Sequence, residues 1–187
     1  MTTPNKPSIF TLGYSGWRVE DIESTVHRLN AILVDVRMVP RSREPIWNGT
    51  TLHKRLGDRY VWLKEFGNRN YRGTVDQIEI ADFPAGQERL AKLLGLASAS
   101  TAAGVFDPAI APTPTGATAP GLTSTPPTGR SVILLCGCPD VNQCHRKVLA
   151  DWLAQSWQAQ VIHLTPPKPD RLTHPDNKSS GHQPTLF

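Results

Sequence analysis

The sequence has no long hydrophobic run. No stretch of its 187 residues approaches the roughly 18 consecutive apolar residues that a membrane-spanning helix requires. Residues 1–8 are polar and lack the apolar core of a signal peptide. We therefore expect no membrane association and no secretion.

Cysteine is scarce in this chain. The three cysteines all lie between positions 136 and 144, and an odd number at such close spacing cannot frame a disulfide-stapled fold. We expect reduced thiols and a cytoplasmic location. The net charge of +4 permits a polyanionic partner without requiring one.

Two regions have little capacity to form a core. Residues 101–130 are rich in proline, threonine and alanine, and residues 111–129 within them contain five prolines and no charge. Residues 166–187 contain five further prolines and no hydrophobic period. Such regions cannot bury enough apolar surface to offset the entropy of ordering. We predict a single α/β domain over residues 1–165, with a flexible insert at 101–130, and a disordered tail over 166–187.

Strand and helix patterns alternate along the rest of the chain. The predicted strands are 9–14, 31–36, 60–66, 131–136 and 160–164, and the predicted helices are 19–30, 51–59, 86–99 and 144–157. This alternation predicts a mostly parallel sheet with helices on both faces. Ligands of such sheets bind beyond the carboxyl ends of the strands, where the strand order reverses. We expect segments 13–17, 35–43 and 137–146 to converge there.

Positive charge is concentrated between residues 37 and 72. This segment holds nine basic and three acidic residues, interleaved with five aromatic ones. Cations mixed with flat rings suit a phosphate backbone and unstacked bases, and we expect Trp47 to be one of the stacking rings. The alternative is a solvated basic face whose aromatic side chains point into the core.

Three arginines follow the second predicted strand. Arg37, Arg41 and Arg43 offer forked donors for a phosphate or a carboxylate. Asp35, near the end of that strand, would orient one of them or act as a base. The alternative is an Asp35–Arg37 pair that only stiffens the loop.

The turn after the first predicted strand is bracketed by Gly13 and Gly16. Such a turn suits a ligand approached by backbone N–H groups, which include that of Ser15. Tyr14 in the same turn would stack on a base.

Cys144 is a candidate nucleophile. It opens the fourth predicted helix, where free N–H groups and the nearby Arg146 would favour a thiolate or bind an anion. The alternative is a small buried cysteine beside a solvent-facing arginine. Cys136, inside the strand, is expected in the core.

The late cysteines also allow a metal interpretation. Cys136, Cys138, Cys144 and His145 have the ligand types that zinc prefers. Their spacing argues against zinc, because adjacent residues 144 and 145 should point apart and paired CxxC knuckles are absent. We therefore predict no metal and no other cofactor.

The motifs together resemble the domain of unknown function 488 family. The matching elements, in chain order, are Thr11–Ser15, Asp35-Val36-Arg37, Pro40-Arg41-Ser42, Tyr60 with Gly67, Cys136, and Cys144-His145-Arg146. The resemblance extends over about residues 9–164 and implies a compact Rossmann-like α/β fold in which these elements line one pocket. Tyr14 stands where the family has histidine, Cys138 where glutamate is usual, and Asn68 interrupts a double glycine.

The last five residues, Gln183-Pro184-Thr185-Leu186-Phe187, resemble the peptide by which replication and repair proteins hold the sliding clamp. Gln183 would hydrogen-bond in one pocket, while Leu186 and Phe187 would bury in an apolar cleft. The alternative is a chance sequence at the end of the tail.

The leading functional hypothesis is an intracellular enzyme that acts on nucleic acid or on a nucleotide, in DNA repair or base modification, and that the clamp recruits. Catalytic roles fall to Cys144, Asp35, Arg37 and Tyr14. The residues expected to bind the substrate or its anion are Gly13, Ser15, Arg41, Arg43, Trp47, His145 and Arg146. Two alternatives stay open: a small-molecule enzyme of thiol or phosphate chemistry without DNA binding, and a non-catalytic, clamp-associated DNA-binding adaptor.

Overall fold

The computed structural model describes residues 8–72, 77–95 and 131–167. The strands are β1 (Ser8–Gly13), β2 (Ala31–Asp35), β3 (Tyr60–Trp62), β4 (Ser131–Cys136) and β5 (Gln160–Leu164), and the helices are α1 (Val19–Arg28), α2 (Gly49–Leu56), α3 (Phe83–Leu93) and α4 (His145–Trp157). None of the helices in these ranges has the length and apolar character needed to cross a membrane. The predicted insert at 101–130 and the clamp-binding residues at 183–187 lie outside the described residues.

The five strands form one sheet in the order β3-β2-β4-β1-β5, and every neighbouring pair is parallel. The predicted α/β fold with a Rossmann-like parallel sheet is therefore confirmed. The strand sequences explain it, because β2 and β4 are almost continuously apolar and each is buried along nearly its whole length. Strands with two apolar faces require a covering layer on each side.

Two apolar clusters provide those layers. Leu52 of α2 and Ile22 of α1 pack with one set of strand side chains. Leu90 of α3 and Leu149 of α4 pack with the alternate set on the opposite face. Successive strand side chains point to opposite faces, so the sheet lies between α1 and α2 on one side and α3 and α4 on the other.

Several element ends differ from the sequence prediction, and two of the differences have a clear local cause. The predicted strand 60–66 ends at Trp62 and continues as a 3-10 turn over Lys64–Phe66, because that turn directs Phe66 into the core. The third helix begins at Phe83, three residues before the predicted start, because the Asp82 carboxylate accepts a hydrogen bond from the Ala85 N–H at 3.0 Å.

The strand order places a crevice at the carboxyl end of β4. Strands β1 and β2 flank β4 and lead to helices on one face, whereas β4 leads to α4 on the other. Backbone hydrogen bonds continue past the strand ends, from Tyr14 N–H to the Cys136 carbonyl and from Val36 N–H to the Leu135 carbonyl, each at 3.0 Å. The three segments predicted to converge meet at this edge.

Candidate functional site

A buried ion pair lies at the end of β2. The Arg37 guanidinium donates from Nε to Asp35 Oδ1 at 2.8 Å and from Nη2 to Asp35 Oδ2. The Tyr60 hydroxyl donates to Asp35 Oδ2 at 2.8 Å. Asp35 is 0% and Arg37 7% exposed. The Asp35 carboxylate therefore accepts three side-chain hydrogen bonds, of which the two from Arg37 hold the guanidinium in one orientation.

This environment shifts two pKa values. Burial works against the charged form of Arg37, but the hydrogen bonds and charge of Asp35 outweigh it and raise the pKa of Arg37. Burial and the neighbouring Asp35 charge raise the pKa of the Tyr60 hydroxyl. Both groups keep their protons at neutral pH. Nη1 of Arg37 is buried and has no hydrogen-bond partner within the described residues.

Tyr14 and Trp47 form a stack beneath Arg37. The guanidinium carbon lies 5.3 Å from the centre of the Tyr14 ring, and the Tyr14 and Trp47 rings lie 4.9 Å apart at an interplanar angle of 12°. Trp47 is 4% exposed, and its indole N–H donates to Glu44 at 3.2 Å. Trp47 therefore packs against one face of the Tyr14 ring, and because the Trp47 side chain is buried, its own ring faces are covered.

Gly13 is required by the packing of the loop after β4. A Cβ at position 13 would lie 2.1 Å from the Cys138 carbonyl oxygen and 2.9 Å from Arg146 Nη1. Arg146 is 3% exposed and donates to the Cys138 carbonyl at 2.6 Å. The expected solvent-facing alternative for Arg146 is therefore wrong, and its bound partner is a backbone oxygen. Ser15 is exposed in the turn that follows Gly13.

An open cavity of about 890 Å³ lies beyond the ends of β2 and β3. Its polar and aromatic lining residues are Arg41, Ser42, Asn48, Thr50, His53, Tyr60 and Trp62. Arg41 is exposed, and the indole of Trp62 is held by a 3.0 Å hydrogen bond to the Arg37 carbonyl. Arg43 is exposed nearby but does not line the cavity.

Of the polar and aromatic residues that line this cavity, only Arg41 was assigned to the site from the sequence, and His53 and Trp62 are among those that were not. His53 lies on α2, and its ring is 6.2 Å from that of Tyr60 in an edge-on contact. Trp62 is 38% exposed because β3 is the edge strand of the sheet. The alternation of Tyr60 and Trp62 in β3 was a usable signal, since residues two apart share a face.

The basic segment, residues 37–72, contains both aromatic side chains that point into the core and aromatic side chains that are exposed. Trp47, Tyr60 and Phe66 are buried, as expected for core aromatics, whereas Trp62 and Tyr71 are exposed. Several of its cations are neutralised locally, as when Arg55 pairs with Glu23. Arg41 has no ion pair within the described residues, which leaves its charge for an outside partner.

The three cysteines and His145 form a second cluster at the same edge. The Sγ atoms of Cys136, Cys138 and Cys144 all lie within 4.8 Å of one another. His145 Nδ1 lies 3.9 Å from the Sγ of Cys136 and 3.9 Å from that of Cys144. Cys144 and His145 therefore do not point apart, and the predicted separation of these two side chains is wrong. Cys144 precedes α4 in an extended conformation, and the change of direction at the helix start brings the two side chains together.

The cluster also alters the chemistry expected of Cys144. Cys144 is 1% exposed, and hydrogen bonding with Cys136 and Cys138 raises the pKa of its thiol, the direction opposite to that expected from the helix terminus. Hydrogen bonding from Cys138 lowers the pKa of Cys136, whereas the same contact raises the pKa of Cys138 to about 11. One negative charge shared among the three contacting thiols explains why the pKa of Cys136 falls while those of Cys138 and Cys144 rise.

The fold and these sites define a small parallel α/β protein with an open cavity beside Arg41 and a thiol cluster at the carboxyl edge of its sheet. The family model described as "Domain of unknown function DUF488" matches residues 22–102, so the chain carries a DUF488 domain there. The match includes the Asp35–Arg37 pair and the cavity and ends before the thiol cluster. Neither the search of the curated proteins nor that of the solved structures found a match.

Proposed function

We propose that this protein is a nucleic-acid- or nucleotide-processing enzyme that holds a phosphate group of its substrate in the cavity beside Arg41. The cavity is the observation that carries this proposal. Among the described residues that line it are an arginine, a histidine, three hydroxyl-bearing side chains and an exposed indole, and none is acidic.

These groups suit the two parts of a nucleotide. A guanidinium binds phosphate oxygens with two parallel N–H donors, and the hydroxyl groups of Ser42 and Thr50 add further donors. An exposed indole stacks on a base without sequence preference. Arg41 and Trp62 line the same cavity, so one ligand would contact a cation and an aromatic ring together.

The buried Arg37 supports this site without leaving Asp35. Its side chain is fixed by Asp35 and Tyr14, and its backbone carbonyl accepts the hydrogen bond from Trp62. The backbone of Arg37 therefore holds the stacking indole in place, while its side-chain charge is paired with Asp35. His53, on the wall of the cavity, is the group suited to proton transfer.

The tail suggests the setting of this activity. The peptide Gln183–Phe187 resembles a clamp-binding sequence, which would recruit the enzyme to DNA for repair or base modification. We propose that it works in the cytoplasm, where cysteines stay reduced.

Direct binding tests the proposal. Fluorescence anisotropy of labelled single-stranded and duplex DNA should show an affinity that falls steeply between roughly 50 and 200 mM salt, because each neutralised phosphate releases a counterion. Arg41→Ala should weaken binding and lower the salt slope by about one charge. Arg28→Ala is the matched control, since Arg28 is exposed at the end of α1 and its loss removes the same charge.

Two results would contradict the proposal. Equal weakening by Arg41→Ala and Arg28→Ala would show only a general charge effect. No binding to DNA, RNA or mononucleotides at low salt would exclude the phosphate site, and small non-nucleotide anions would then be the substrates to examine.

A further inference from the structure

The thiol cluster has the composition and geometry of a tetrahedral metal site. A zinc ion bound at about 2.3 Å to sulfur and about 2.0 Å to nitrogen keeps its ligand atoms about 3.5 to 3.8 Å apart. The Sγ atoms of Cys136 and Cys138 are 3.6 Å apart, and His145 Nδ1 lies 3.9 Å from the Sγ atoms of Cys136 and Cys144. Shifts of up to about one ångström would bring the three sulfur atoms, which lie within 4.8 Å of one another, to these separations.

The histidine tautomer provides an independent indication. His145 Nε2 lies 2.8 Å from the Val36 carbonyl oxygen. A carbonyl only accepts hydrogen bonds, so Nε2 carries a proton and Nδ1 is the ring nitrogen that lies toward the Sγ atoms of Cys136 and Cys144. Histidines that bind metals characteristically donate their other N–H to a carbonyl or carboxylate in this way.

The surroundings balance the charge of such a site. Three thiolates and one divalent ion leave a net charge of −1 when the histidine is neutral. Helix α4 has 13 residues and begins at His145, and its N-terminus contributes partial positive charge. The buried guanidinium of Arg146, bonded to the Cys138 carbonyl, adds a full positive charge.

We propose that Cys136, Cys138, Cys144 and the Nδ1 of His145 bind one Zn²⁺ ion in a closed, structural site. The four ligands come from the end of β4, the loop after it, the residue preceding α4 and the first residue of that helix. The ion therefore joins strand, loop and helix at the carboxyl edge of the sheet. With all four positions filled by protein, the metal has no open position for a substrate. The inference is independent of the ligand cavity beside Arg41.

Metal content and cobalt spectroscopy test this inference. The full chain, purified without a polyhistidine tag and under reducing conditions, should contain one zinc ion, measured by elemental mass spectrometry. Addition of Co²⁺ to the metal-free protein should produce the visible bands of tetrahedral cobalt and thiolate-to-cobalt charge transfer. X-ray absorption should give three sulfur ligands at about 2.3 Å and one nitrogen at about 2.0 to 2.1 Å.

Variants identify the ligands. Cys138→Ser and His145→Gln should each weaken zinc binding by more than the roughly 10- to 100-fold that loss of an outer partner costs. His27→Gln, which removes an exposed histidine of α1, should leave it unchanged. Circular dichroism of each variant separates loss of metal from loss of fold.

Several outcomes would overturn the site. These are a metal-free chain that takes up no stoichiometric Zn²⁺ or Co²⁺, a cobalt spectrum without thiolate charge transfer, or a Cys136–Cys138 disulfide in the reduced preparation. Equal loss of affinity in His145→Gln and His27→Gln would also exclude it. Failure of DNA binding would leave these measurements unaffected, so the two proposals are tested separately.

Discussion

Replacing Arg37 with methionine should destabilise the protein strongly, because it leaves the Asp35 carboxylate buried without its cation. Asp35 is 0% exposed, and after the change its remaining donors are the Tyr60 hydroxyl and the backbone N–H of residue 37. Removing one partner of a buried ion pair costs about 3 to 5 kcal/mol. A domain of this size has about 5 to 15 kcal/mol of total stability, so Arg37→Met should still fold.

A second substitution, at Asp35, tests whether the loss of stability comes from the unpaired buried charge. In Arg37→Met combined with Asp35→Asn, no unpaired charge is buried, and the amide oxygen introduced at position 35 still accepts from Tyr60. The double variant should therefore be more stable than Arg37→Met alone, by about 2 kcal/mol or more.

Urea unfolding followed by circular dichroism measures both changes. With a slope of about 2 kcal/mol per molar urea, a loss of about 4 kcal/mol lowers the unfolding midpoint by about 2 M. If Arg37→Met lost less than about 1 kcal/mol, or if the second substitution lowered stability further, the pair would not be the desolvated, mutually dependent unit described above.

Three further predictions concern other parts of the chain. Tyr60→Phe should lower the free energy of unfolding by about 1.5 to 3 kcal/mol at neutral pH. Because the pKa of Tyr60 is raised, the stability of the wild type falls as the pH rises above the ordinary value of 10.0. Urea unfolding at about pH 8 and about pH 11 should therefore show a smaller difference in stability between wild type and variant at the higher pH, and a constant difference would refute the pKa shift. Gly13→Ala should lower the thermal midpoint strongly, because its Cβ would meet the Cys138 carbonyl oxygen at 2.1 Å; an unchanged midpoint would contradict the close approach. Deleting residues 183–187 should abolish binding to a sliding clamp in surface plasmon resonance and leave the circular dichroism spectrum unchanged, and clamp binding that survives the deletion would refute the role of the peptide.

Local pattern was sufficient for most secondary structure. The predicted strands 131–136 and 160–164 agree with β4 and β5 residue by residue, because each is a short segment rich in β-branched and other apolar residues, and its length favours a strand over a helix. The sequence pattern was less informative where a single side-chain contact decides the residue at which an element begins or ends. The start of α3 depends on the side-chain cap from Asp82, and the end of β3 depends on where Phe66 finds the core.

The convergence of segments at the carboxyl edge was also predictable. It follows from alternating strands and helices, since parallel strands connected in this way end at one edge. The DUF488 resemblance is confirmed for residues 22–102. The sequence therefore determined the fold class, the edge of the sheet at which the three segments meet, and the proximity of Asp35 and Arg37, which are two residues apart at the end of β2.

Only the tertiary structure decided which side chains meet across longer separations. Tyr60 joins Asp35 from a different strand, and His53 and Trp62 reach one cavity from α2 and β3. The direction of His145 relative to Cys144 depends on backbone torsion at the start of α4. Residue spacing sets how far apart two side chains are along the chain, whereas torsion angles and packing set the direction in which each one points, and the thiol cluster depends on that direction.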